Sequence, residues 1–495
     1  MTQAEGQRDF HIHSVKFNAV MNTLLTASNM LASVITIPYV TRVLTVEGYG
    51  DVSFAQSVSS WLSALCLVGI NVYGVRECAN ARDNPRELAR VVRELLAIIT
   101  ISTTVVLGLF AVSILFVPQF RALAPLMWMF LLGTLLLSYG VEWFYQGIEQ
   151  YSYITKRGMV CKLISLVATF LFVRNPDDYL AYGAILALVM CANNVLNLLR
   201  LHKLVDLRSP GKLNLRRHVR SLSAFGIQSV ASAVYLSFDS TLLGMLSAGN
   251  YQVGLYQLAT KLKGVMFQVL NAVLGVMIPR LSYHLASGDR EAFRALLRRG
   301  FGISINVCCA IAGYLLVFSE PVVLLVSGRG FVEAAAPLRI IGLVNLASCM
   351  SYFFGLCILT PLGRERQLAF ANLSGVPVSV VLNLLLDPTL GALGASVSIL
   401  ASELLILVIQ GWCSRDVLRE FVRVHDVAGP LVSNAVAVVA SLLVTGALAG
   451  GGAYVALVGL AVYSAVDVAC ALVLRDETAW SLVSFARGFL CRAAR

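Results

Sequence analysis

The chain reads as an all-α polytopic membrane protein of about 14 transmembrane helices, with both termini on the cytoplasmic side. Three observations predict this. Its 495 residues are 58% hydrophobic and only 13% charged, where soluble proteins carry about 25% charged residues. Fourteen apolar stretches of about 20 residues or more run its length, each long enough for a hydrocarbon core of roughly 30 Å. The loops between them alternate in charge. Of 38 Lys and Arg, thirty lie in the termini, the even-numbered loops or the stretch ends that border them. Arg42, Arg121, Arg174 and Arg329 lie in or beside odd-numbered loops, and Lys162, Lys261, Lys263 and Arg339 fall inside the stretches. That bias follows the positive-inside rule.

The stretches are 14–41, 50–72, 91–117, 122–147, 153–173, 179–200, 219–246, 251–279, 295–318, 334–360, 367–387, 391–413, 429–449 and 452–474. The first follows a polar segment (Gln7, Arg8, His11, His13, Lys16) with no cleavable signal, so the N-terminus is expected to stay in the cytoplasm. The net charge of +11 sits in membrane-flanking clusters, Arg76 to Arg93, Arg200 to Arg220, Arg280 to Arg299 and Arg415 to Arg423. Such clusters orient spans beside anionic headgroups, which argues against nucleic acid as a partner. The eleven cysteines show no C-x-x-C and no zinc spacing, and read as small apolar residues. No metal site or cofactor is expected.

The longest odd-side loop, about 319–333, holds roughly fifteen residues, too few for a folded outer domain. The nucleotide-binding motif G-x-x-x-x-G-K-[ST] is absent. A carrier is therefore favoured over an enzyme, including a membrane polymerase or ligase.

A shift of 204 residues places Gly50 on Gly254, Ala55 on Ala259, Arg76 on Arg280, and Arg86, Glu87 and Arg90 on Arg290, Glu291 and Arg294. It also overlays the first three spans on spans seven to nine. A repeat of six spans keeps its membrane orientation and is therefore parallel. The expected organisation is an N-lobe of helices 1–6 (residues 1–205), a C-lobe of helices 7–12 (206–416), and two further helices with a cytoplasmic tail (417–495). Substrate sites in such carriers lie in a central cavity between lobes, near the midplane.

Polar residues recur at helical spacing in four spans. Span one carries Asn18, Asn22, Thr26, Asn29, Ser33 and Thr36. Span five carries Tyr151, Thr155, Gly158, Lys162, Ser165 and Thr169. Span seven carries Ser221, Gln228, Ser232, Tyr235 and Asp239, and span eight Gln257, Lys261, Gly264, Gln268 and Asn271. Small polar faces also serve close helix packing, but amides and lysines on the same faces point to a wet interior. The cavity candidates are Lys162, Lys261, Asn22, Asn29, Gln228, Gln257, Gln268, Asn271 and Arg42, with snorkelling the default for Arg42 at its span end. A mid-bilayer charge costs at least about 2.5–3.5 kcal/mol, so these lysines need a reason. Lys263 lies about 200° from Lys261, so the two cannot face one cavity. Asp239 and Lys261 flank the turn near Ala248 and are placed to pair. Otherwise Asp239, with Glu403, is a coupling-ion candidate. Asp467 in the last span stands level with Glu403, and an interhelical hydrogen-bonding group is the default for both. Glu142 with Trp143, Phe144 and Tyr145 reads as an interfacial aromatic belt. Net positive charge would suit an anionic substrate such as a pyrophosphate-linked lipid bearing sugars.

The run Pro38-Tyr39-Val40-Thr41-Arg42-Val43-Leu44, with Gly48-Tyr49-Gly50 and Phe54-Ala55, resembles the first hairpin of bacterial polysaccharide and O-antigen repeat-unit flippases. These belong to the multidrug/oligosaccharidyl-lipid/polysaccharide exporter superfamily. Gly69-Ile70, Tyr73-Gly74, Arg76-Glu77, Glu142-Trp143-Phe144-Tyr145-Gln146-Gly147 with Glu149, Asp178-Tyr179, and Gly391 to Ala395 with Glu403 continue the likeness from about 16 to 415. Thr45 departs from it, where the family usually has Gly. The resemblance implies translocation of undecaprenyl-diphosphate-linked oligosaccharide to the outer leaflet of the bacterial cytoplasmic membrane by alternating access. It further implies H+ or Na+ as the ion if transport is coupled, and contacts with a polysaccharide polymerase or glycosyltransferases. A drug or organic-cation antiporter of the same superfamily is the nearest rival, disfavoured because span one has no acid. A flippase of the peptidoglycan lipid precursor shares the lipid-pyrophosphate and is not separated. A receptor or scaffold would leave the stripe lysines unexplained.

Overall fold

The computed structural model describes residues 15–207, 213–247, 249–446 and 453–474. The segment behind the N-in expectation, the turn at Ala248, part of the Arg200–Arg220 cluster and the tail after Leu474 lie outside the described residues. Every regular element among the described residues is helical. The chain divides into two compact units, Met1–Gly254 and Leu255–Arg495.

The first unit contains α1 (Val15–Val43), α2 (Val46–Leu67), α3 (Ile70–Ala81), α4 (Pro85–Phe116), α5 (Pro118–Ala122), α6 (Ala124–Ser138), α7 (Glu142–Gly147), α8 (Tyr151–Phe172), α9 (Tyr179–Leu204) and α10 (Arg216–Leu246). Thr45 caps α2, its hydroxyl accepting from the Gly48 amide at 3.0 Å. The departure from the family pattern is thus a working cap. Asn84 caps α4 ahead of Pro85 in the same way. Between α2 and α3, Val68 and Gly69 take left-handed φ of 47° and 79°, and the pair bends by 41°. A Cβ on Gly69 would also come 2.5 Å from the Phe225 carbonyl carbon, so only glycine fits where α10 presses on the bend.

Packed on α4, α6, α9 and α10, α2 is the central helix of this unit. Its serines allow close approach: Ser59 bonds Thr134 at 2.6 Å, Ser57 bonds Thr241 at 2.9 Å, and Trp61 Nε1 donates to Thr241 at 3.2 Å. Although the repeat assigns it to the second lobe, α10 packs here on α2 and α3. Its first turn is tied to α4 through fully buried Glu94. That carboxylate accepts from the Asn214 amide at 2.7 Å, from Arg217 at 2.7 Å and from Arg90 at 3.2 Å, and pairs with His218 at 2.9 Å. His218 Nδ1 in turn meets the Tyr73 hydroxyl of α3 at 2.7 Å.

The aromatic run of α7 corrects the expectation of an interfacial belt. Trp143, Phe144 and Tyr145 are buried, at 2%, 0% and 0% exposure. Left-handed Val141 (φ 44°) and Glu149 (φ 58°) turn the six-residue helix inward. Gly74 makes room for the indole, since a Cβ there would come 2.7 Å from it.

The second unit begins within α11 (Tyr251–Ala286) and continues through α12 (Arg290–Ser327), a 3-10 turn (Arg329–Ala334) and α13 (Ala335–Tyr352), which runs into a π-helix (Phe353–Leu359). Then follow α14 (Glu365–Leu390), α15 (Ala392–Cys413), α16 (Arg415–Phe421), α17 (Val424–Gly446) and α18 (Ala453–Val473). The α17–α18 hairpin docks on α12. Tyr314 donates to the Ala456 carbonyl at 2.6 Å, the Asn434 amide nitrogen donates to the Tyr463 hydroxyl, and Ser433 donates to Asp467 at 2.8 Å. Asp467 therefore takes part in the polar packing of this hairpin.

All fourteen apolar stretches fall on helices. Among the described residues, ten helices are long and apolar enough to cross a membrane, and twelve when the bent pair α2–α3 and the two halves of α10 each count as one. The two long helices outside that set, α8 and α11, are those that carry Lys162, Lys261 and Lys263. The chain is a multi-pass membrane protein.

Candidate functional site

In the second unit, Gln257, Lys261, Gly264, Gln268 and Asn271 share one face of α11, turned away from the buried Leu270 and Leu281. Lys261 is exposed and makes no hydrogen bond or ion pair among the described residues. Lys263 turns the other way and meets Glu403 of α15 at 3.7 Å, both largely buried. The expected separation of the two lysines is thus seen as one free and one paired. Gln257 accepts from the Thr260 hydroxyl, Gln268 keeps a buried side-chain oxygen without a donor, and Asn271 accepts from Tyr352.

In the first unit, Asn22, Asn29, Arg42 and Gln228 are exposed. The α8 stripe is for the most part a packing seam on α1. Thr155 donates to the Met21 carbonyl at 3.0 Å, a Cβ on Gly158 would come 3.0 Å from Leu25, and Lys162 reaches the Ser28 hydroxyl at 3.4 Å. Those α1 partners lie beside the Asn22–Asn29 face, which points away from α8. Asp239 is buried beside Ser240 and Thr241.

Three features carry no signal in the sequence reading. Tyr352 closes α13 against Asn271, with its ring on Phe267 at 5.2 Å; the π-helix that follows resets the side-chain register and has no simple sequence cue. Asp387 of α14 is buried at 1% exposure, one and two turns beyond Asn383 and Ser379. A count of polar stripes in α14 would have found it. Arg157 of α8 is buried beside Glu142.

Outside the spans, Asp178, Asp416, Arg364 and Arg217 are shifted from their ordinary values. Asp178 is held low by the backbone amides of Arg174 and Asn175 at 2.9 and 2.7 Å. Asp416 is lowered by a two-pronged hydrogen bond from Arg364, at 2.9 and 2.5 Å, which raises the arginine in turn. For Arg217, burial opposes its charge, but hydrogen bonds and attraction to Glu87 and Glu94 outweigh it and raise the group.

The described residues form the helical fold of a multi-pass membrane protein. It superposes on a solved lipid II flippase in an inward closed conformation with a TM-score of 0.68, over 94% of this chain and all of that one, at 9% identity. An inward-facing multidrug transporter of the multidrug and toxin extrusion class aligns with a TM-score of 0.60, over 82% of this chain and 98% of its own, at 12% identity. The polysaccharide biosynthesis protein family matches residues 15–284, and the chain belongs to that family. Two bacterial relatives carry the name "Putative O-antigen transporter". The one from Shigella dysenteriae is 26% identical over 80% of this chain and 98% of its own length. The one from Escherichia coli K12 is 24% identical over 79% and 95%.

Proposed function

We propose that the chain flips undecaprenyl-diphosphate-linked oligosaccharide repeat units from the inner to the outer leaflet of the bacterial cytoplasmic membrane, for surface polysaccharide synthesis. Alternating access is the mechanism proposed with it. The observation that carries this reading is Lys261, an exposed lysine on a membrane helix with no acid partner among the described residues, within a face of amides. A cation left unpaired at such cost is retained for an anion. A diphosphate suits its point charge, and Gln257, Gln268 and Asn271 suit sugar hydroxyls, since amides both donate and accept. Family membership and the names of the two relatives support the same substrate class. The solved lipid II flippase supports the fold.

A drug-cation antiporter fits less well, because Lys261 would repel its cargo and α1 contains no Asp or Glu. Coupling to H+ or Na+ would fall to Asp239 or Glu403. Of these, Glu403 is paired with Lys263, and Asp239 is buried, as is Asp387 of α14.

The test replaces Lys162 and Lys261 with Ala in a strain that depends on this protein for its surface glycan. Each replacement should reduce glycan display with membrane levels of the protein unchanged, and Lys261→Ala should do so more strongly. Full display in both would refute the lysine assignment.

A further inference from the structure

Glu142 to Gln150, the start of α8 and the end of α9 bring together a cationic cluster at the end of the first unit that the basic loops assign to the cytoplasm. Arg157 lies six residues into α8, about 9 Å from its start, and Arg200 four residues before the end of α9, about 6 Å from it. Both guanidiniums sit on the Tyr153 ring, at 5.5 and 3.9 Å from its centroid. Arg200 also lies 5.9 Å from the Tyr145 ring and donates to Gln150 at 3.4 Å.

The Arg157 side chain is 5% exposed. One nitrogen, Nη2, donates to Glu142 Oε2 at 3.3 Å. The other two, Nε and Nη1, are buried and have no acceptor among the described residues. Buried donors in native proteins are almost always satisfied, and one left over calls for a missing partner. The Tyr153 ring steadies the charge but accepts no in-plane N–H bond.

The local charges leave an excess. Glu142 offsets one arginine of the two, and the neighbouring Glu149 is taken up by Arg82 at 2.6 Å. Two guanidiniums held on one ring repel each other unless an anion lies between them. A phosphate matches the forked donor geometry of arginine. Basic pockets between membrane helices at the cytoplasmic face take phosphate headgroups in general.

We infer that Arg157 and Arg200, braced on Tyr153, form a binding site for the phosphate-bearing head of a lipid in the cytoplasmic leaflet. The site uses none of the residues of the Lys261 face and stands whether or not the cargo of the transporter is a glycan. Lys162 lies five residues further along α8, about 7–8 Å deeper, so a diphosphate held here sits one step below it.

The test uses the full-length protein purified in detergent, with retained lipid measured by native mass spectrometry. Undecaprenyl diphosphate, phosphatidylglycerol and phosphatidylcholine are added in turn to wild type, Arg157→Gln, Arg157→Lys and Arg200→Gln. Wild type should retain an anionic lipid at least tenfold better than phosphatidylcholine. Each Gln variant should lose most of that preference, and Arg157→Lys only part of it. Preference for undecaprenyl diphosphate assigns the site to that head. Equal retention of phosphatidylglycerol assigns it to a resident leaflet lipid. Arg200 is half-buried, so its variant decides the matter if Arg157→Gln fails to fold. A monodisperse Arg200→Gln protein that keeps the wild-type preference overturns the inference. Glycan display plays no part in this readout, so its failure and that of the lysine assignment are separable.

Discussion

Gly50 and Gly254 meet backbone to backbone. A Cβ on Gly50 would lie 1.9 Å from the Asn250 carbonyl oxygen and 2.9 Å from the Gly254 nitrogen. A Cβ on Gly254 would lie 2.2 Å from the Val46 carbonyl oxygen. The contact is reciprocal under the repeat, since the 204-residue shift carries Val46 to Asn250 and Gly50 to Gly254.

Backbone cannot yield as a side-chain tip can, so Gly50→Ala and Gly254→Ala should each cost about 1–3 kcal/mol through overpacking. Gly108, with no atom within 4 Å of its would-be Cβ, is the control. Gly108→Ala should be neutral or stabilising by up to about 1 kcal/mol. Thermal unfolding in detergent would separate them, and equal melting temperatures for all three variants would contradict the close approach.

Glu94 ties the first turn of α10 to α4, and its removal leaves His218 buried without its anion. Glu94→Ala should destabilise the protein by about 3–5 kcal/mol. Arg90→Ala should cost well under that, because Arg90 is 41% exposed. Protease resistance of the α9–α10 linker would report the loosening directly.

Lys263 and Glu403 form a mostly buried pair. Lys263→Met alone strands a carboxylate and should cost about 3–5 kcal/mol, whereas the double variant Lys263→Met/Glu403→Gln should recover most of it. Transport by that double variant separates the roles of Glu403. A stable protein that still flips its cargo would remove Glu403 from the coupling candidates.

Asp416 is held below its ordinary value by Arg364. A carboxyl lowered on folding contributes stability above its unfolded pKa of about 4, and that contribution fades as pH falls through the lower folded value. Wild type should therefore lose more stability than Asp416→Asn between about pH 5 and pH 2. Both partners are substantially exposed, so the difference at neutral pH should stay below about 1 kcal/mol. Parallel melting curves across that pH range would show that the pair contributes nothing.

Much of the fold was legible because a bilayer imposes a simple grammar of apolar length and loop charge. All fourteen stretches are helical, and the division of Lys261 from Lys263 followed from helical spacing alone. The α8 stripe was less legible, since Thr155 and Gly158 give one pattern whether they pack α1 or face water. Arg157 was passed over as a loop-side basic residue, and α7 as a surface belt, because left-handed Val141 and Glu149 leave no mark in composition.

The sequence by itself determined the class of the protein and its helices, through solvation costs that act residue by residue. Only the tertiary structure decided which charges are paired. Glu403 meets Lys263, Glu94 holds Arg217 and His218, and Arg157 keeps two donors open. Pairing depends on distances between helices far apart in the chain, and periodicity within one helix carries no information about them.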